Sequence, residues 1–115
     1  MRSLILFYIG NLGSIPSPRS GSSLVVEPNN RYLLLFGGYS APSMYLNDMY
    51  RYDTWNDTWI KVPVGPNGIK PRPVVSHAAN VVGDYMYIFG GVYFKDTPTN
   101  QLAKYSFSTN EWEIL

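Results

Sequence analysis

One histidine, His77, and no cysteine stand in the sequence. Protein zinc and copper sites normally draw on several imidazole or thiolate ligands, so a single histidine argues against one. Without cysteine, disulfides and thiol chemistry within the chain are excluded. The carboxylates are Glu27, Asp48, Asp53, Asp57, Asp84, Asp96, Glu111 and Glu113. Most fall at expected turns, where a short carboxylate bonds its own backbone. Glu111 and Glu113 flank Trp112, so on a strand both point away from the Trp side. That spacing describes a solvated face, not an acid/base pair. Asn56-Asp57-Thr58 is an N-x-T sequon that makes Asn56 a glycosylation site if the chain enters the secretory pathway. Net charge is +1 and the Lys and Arg residues never cluster. No nucleic-acid footprint follows from that pattern.

The elements that would position these residues come in two copies. Phe36-Gly37-Gly38 recurs 53 residues later as Phe89-Gly90-Gly91, and Pro18-Arg19 recurs as Pro71-Arg72. Asn47/Asn100, Tyr52/Tyr105 and Trp59/Trp112 keep the same offset. A fixed period of this size marks stacked or radial repeats. Each copy reads as four short strands. The first copy gives Ser22–Val26, Tyr32–Phe36, Met49–Tyr52 and Thr58–Val62; the second gives His77–Val82, Tyr85–Phe89, Gln101–Phe107 and Glu111–Leu115. Tyr39–Leu46 and Val92–Asn100 read as loops. Runs such as Tyr32–Phe36 are apolar throughout, as in strands covered on both faces. Nine Pro and ten Gly in 115 residues, with aromatic and β-branched residues crowding the strands, argue against helix.

This ordered set resembles the kelch repeat. Pro-Arg, then His, then an aromatic-rich strand ending in Gly-Gly, then Asn-Asp, Tyr-Asp and Trp follow one another over residues 18–115. The departures are specific. Ser22 stands where the family often has His, and the second copy has two extra residues before His77. Gln101 and Ser106 replace aspartates that the first copy keeps as Asp48 and Asp53. The resemblance implies an all-β fold, two four-stranded antiparallel blades of an incomplete β-propeller. The units are an N-terminal segment (residues 1–17), the first repeat (18–62), a linker (63–70) and the second repeat (71–115). Gly37, Gly38, Tyr52, Trp59, Gly90, Gly91, Tyr105 and Trp112 are then structural residues, the tryptophans packing between blades.

The resemblance also places Arg19 and Arg72 near the mouth of a central channel, where some family members grip acidic peptides. A guanidinium there suits bidentate capture of a carboxylate. A local bond to neighbouring carbonyls is the favoured alternative. The loops between second and third strands offer Tyr39, Tyr45, Tyr93 and Phe94 to a partner, being the residue types enriched at interface cores. Galactose-oxidase-type enzymes share the propeller, but their copper needs ligands this chain supplies only in part. The expectation is a non-catalytic scaffold binding a protein or peptide, with no cofactor, no metal, no nucleic acid and no membrane insertion. A cytoplasmic location is favoured, with an extracellular receptor-type propeller as the alternative. Two blades leave apolar faces uncovered, so further blades or self-assembly must close the ring. Leu4–Ile9 fits a remnant strand of a preceding blade better than a signal peptide.

Overall fold

The computed structural model describes residues 15–115; the segment Leu4–Ile9 lies outside them. In chain order the strands are β1 (Ser23–Val26), β2 (Tyr32–Ser40), β3 (Met44–Asp53), β4 (Thr58–Val62), β5 (Ala78–Val82), β6 (Tyr85–Phe89), β7 (Val92–Tyr93), β8 (Thr97–Pro98), β9 (Leu102–Ser106) and β10 (Trp112–Ile114). They form two four-stranded antiparallel sheets, β1-β2-β3-β4 and β5-β6-β9-β10. A short ribbon of β7 and β8, bridged by a 3-10 turn at Phe94–Asp96, lies in the chain between β6 and β9.

Tyr39–Leu46 is not the loop its Pro and Ser content suggests. The ladder shifts register after Phe36, then resumes with Gly38 opposite Leu46, Tyr39 opposite Tyr45 and Ser40 opposite Met44. Gly37 and Gly38, at φ 72° and 103°, absorb the bulge. A Cβ on Gly38 would stand 2.9 Å from the Ser20 carbonyl oxygen, and one on Gly91 only 2.7 Å from that of Val75. The glycine pairs therefore let one strand pass the backbone beside it.

The core lies in the seam between the sheets. Strand alternation sends Leu34 and Phe36 of β2 and Met49 of β3 to one face, against Met86, Ile88, Ala103, Tyr105 and Trp112 of the second sheet. Trp112 packs on Phe36 at 5.0 Å and on Tyr105 at 5.1 Å. Tyr52 and Trp59 repeat that pair at 5.0 Å on the other face of the first sheet, where both are half-buried. The outer face of the second sheet shows what the seam covers. Phe36 and Met49 are 0% and 5% exposed, while their counterparts Phe89 and Leu102, opposed in the same register, are 52% and 36% exposed. A repeat unit buries such a face only against a neighbour.

His77 closes the seam where β1 meets β5. Its Nε2 lies 2.8 Å from Ser23 Oγ and its ring meets Phe36 edge-on at 5.4 Å, while Nδ1 is buried with no partner. Burial holds the imidazole pKa below its ordinary 6.5. The unfolded chain then takes up the proton first, so stability falls as pH drops below about 6.5 until the folded state is protonated too. His77→Gln is expected to flatten that slope in urea melts between pH 7.5 and 5.

Candidate partner-binding surface

Arg19 and Arg72 are equivalent in sequence and differ in structure. The Arg19 side chain is 4% exposed. Its Nη1 donates to Asp48 Oδ1 at 2.6 Å and to the Gly37 carbonyl at 3.2 Å, and Nη2 donates to Asp48 Oδ2 at 3.2 Å. Ser17 takes two further bonds. This arginine is committed within its own blade. In the second blade Gln101 stands at the place of Asp48, and its Oε1 accepts from the Arg72 backbone N–H at 3.3 Å. Arg72 is exposed, has no carboxylate partner among the described residues, and lies over the Tyr93 ring at 4.5 Å.

The β2–β3 hairpin and the 3-10 turn join across the two blades. Tyr45 Oη donates to Asp96 Oδ1 at 2.9 Å, and that bond raises the phenol pKa. The Asp96 backbone N–H returns a bond to Tyr45 Oη at 3.3 Å. Tyr39 supports Tyr45 edge-on at 5.3 Å. Between the loops lies a shallow cavity of about 260 Å³ lined by Ser43, Met44, Tyr45, Pro73, Tyr93 and Phe94. Met44 and Phe94 are 58% and 65% exposed. Tyr45, Tyr93, Phe94 and Arg72 thus share one surface, Tyr39 braces it, and Arg19 is engaged elsewhere.

At the other end of the strands the structure shows a feature the motifs did not mark. Asp53 is 3% exposed and takes Arg31 Nε at 3.0 Å and Nη2 at 2.7 Å. It also accepts the Trp55 backbone N–H at 3.0 Å and Asn56 Nδ2 at 3.0 Å. The bonds from Arg31, first of all, hold its carboxyl at a pKa of about 2. The sequon residue Asn56 is therefore part of an ordered turn. Trp55 is the signal that sequence reading could have used, since Ser108 occupies its place in the second copy. Among the described residues no three His, Cys, Asp or Glu side chains gather as a metal would require, and no helix is long and apolar enough to cross a membrane.

Comparison with known proteins agrees with the fold. The family described as KLHDC2/KLHL20/DRC7 Kelch-repeats domain matches residues 9–115. A Rho GTPase-activating protein, gacHH, of Dictyostelium discoideum is 34% identical over 102 residues, covering 87% of this chain and 6% of that protein. A leucine-zipper-like transcriptional regulator 1 homolog of Drosophila melanogaster is 34% identical over 100 residues, covering 87% and 10%. The rice (Oryza sativa subsp. japonica) tRNA wybutosine-synthesizing protein 2/3/4 is 39% identical over 77 residues, covering 67% and 7%. The chain thus spans a tenth or less of these relatives. With its period, its paired four-stranded sheets and this match over nearly its whole length, the chain belongs to the kelch-repeat family.

Proposed function

We propose that these two blades form part of a non-catalytic propeller that recognises a protein or peptide through the β2–β3 hairpin, the 3-10 turn and Arg72. The supporting observation is the contrast between the two arginines: losing the aspartate at position 101 leaves Arg72 exposed beside an apolar cavity. A carboxylate on the partner would take the guanidinium, and an apolar side chain would take the space between Met44 and Phe94. The acidic side chains favour recognition over catalysis. Asp48 is held by Arg19, Asp53 by Arg31, Glu27 by Arg51 and Asp96 by Tyr45. The relatives' names speak of GTPase activation, transcriptional regulation and tRNA wybutosine synthesis. The reading carried over is a recognition module, not any one of those activities.

Arg72→Ala and Phe94→Ala are each expected to weaken binding of a partner purified with the intact protein by about tenfold or more, without lowering thermal stability. Unchanged affinity in the double variant overturns the reading. A cytoplasmic location accompanies it; a mass shift of the intact protein on glycosidase treatment would instead favour the extracellular alternative.

A further inference from the structure

An ordered, exposed residue that differs between the two copies is not required by the blade itself, and such differences point to recognition. The β3–β4 and β9–β10 turns provide an internal comparison. Thr54 N–H donates to the Arg31 carbonyl at 3.1 Å, and Phe107 N–H to that of Asp84 at 3.0 Å. Tyr52 Oη meets Asp57 Oδ1 and Tyr105 Oη meets Asn110 Oδ1, both at 2.8 Å. Asp57 and Asn110 both take positive φ, 53° and 60°. The second turn closes with Ser106 and Ser108 where the first has Asp53 and Trp55. The blade therefore needs neither Asp53 nor Trp55 to make this turn.

Trp55 is nevertheless 71% exposed and held in place. The Arg31 guanidinium lies 4.3 Å from its ring and 5.0 Å from that of Tyr32, and Arg51 lies 5.7 Å from Tyr32. Trp55, Arg31, Tyr32 and Arg51 form a ladder of alternating rings and cations, fixed by Asp53 and Glu27. A shallow cavity of about 340 Å³ continues from Tyr32 and Arg51 to Asp84 and Ser108. Asp84 is exposed and has no cationic partner among the described residues. An aromatic anchor ordered before binding loses little entropy on association, and Trp, Tyr and Arg are the residue types of binding hot spots.

We infer that this end of the blades is a second recognition surface, for a protein segment that lays an apolar side chain on the Trp55 indole and directs a lysine or arginine toward Asp84. The inference rests on the recognition role proposed above but uses the opposite end of the strands. The test begins with benzoyl-phenylalanine in place of Trp55 in the intact protein, photolysed in cells, with the same substitution at exposed Lys70 as control. The protein cross-linked from position 55 is then purified and titrated against wild type, Trp55→Ser and Asp84→Lys. Trp55→Ser installs the residue with which the second blade makes the same turn, and its urea midpoint is expected to match wild type. The expected result is a loss of affinity of about tenfold or more in each variant. Unchanged affinity, or no cross-link above the Lys70 control, overturns the inference. Loss of binding in Arg72→Ala and Phe94→Ala but not in Trp55→Ser would leave the first surface standing and remove this one.

Discussion

Trp112→Ala is expected to lower stability by about 3–5 kcal/mol, the range for emptying a buried aromatic site. Trp112 is 2% exposed and packs on rings from both blades, Phe36 and Tyr105. Its removal opens a cavity at the centre of the seam, bordered by β-strands whose backbone bonds oppose collapse. Tyr105 makes the loss larger, because its hydroxyl is tied to Asn110 and cannot swing in to fill the space. Burial holds that phenol's pKa at about 12, so the bond persists across the ordinary working range of pH. Trp112→Phe is expected to cost less than the alanine variant. It keeps a ring in the site and removes an indole N–H that is buried without a partner. Trp59→Ala is expected to cost roughly half as much as Trp112→Ala, since Trp59 is only half-buried and the transfer contribution follows the apolar area covered. Urea midpoints of the three variants check this order. Equal losses at positions 59 and 112 would show that the seam is not where the stability lies.

The period carried most of the fold, because a 53-residue offset fixes which residues hold equivalent places in the two sheets. Thr58–Val62 and Tyr85–Phe89 form strands with the bounds read from the sequence. The hairpin at Tyr39–Leu46 was hidden because its strand residues follow a glycine bulge, and alternation cannot be traced through two residues at positive φ. The site was less legible than the fold. Replacement of Asp48 by Gln101 is visible in the sequence, but its consequence for Arg72 depends on Arg19 and Asp48 meeting across 29 residues. The burial of Asp53 depends likewise on Arg31, 22 residues away. Partners so far apart in sequence are set by sheet register, and no local motif reports them.

Arg51→Met is expected to destabilise the chain by about 3 kcal/mol or more, out of proportion to the loss of one ion pair. Glu27 is 3% exposed, immediately after β1, and its Oε2 lies 2.5 Å from Arg51 Nε on β3. Arg51 Nη2 reaches Asn110 Oδ1 of the second blade at 3.3 Å, and Asn110 also receives the Tyr105 hydroxyl. One guanidinium on β3 thus ties the residue after β1 to the β9–β10 turn of the second blade. Deleting it leaves a buried carboxylate uncompensated, which costs far more than the pair contributes when intact. Arg51→Met/Glu27→Leu is therefore expected to recover much of the loss, since the two apolar side chains fill the site without stranding a charge. Unfolding by urea at neutral pH measures both variants and Glu27→Leu in one double-mutant cycle. A double variant as unstable as the sum of the singles would mean that Arg51 acts mainly through Asn110, as an inter-blade tether. Recovery would mean that the penalty belongs to the buried charge. In that case the polar rim is a device for register between blades and contributes little net stability, which stays with the aromatic seam beneath it.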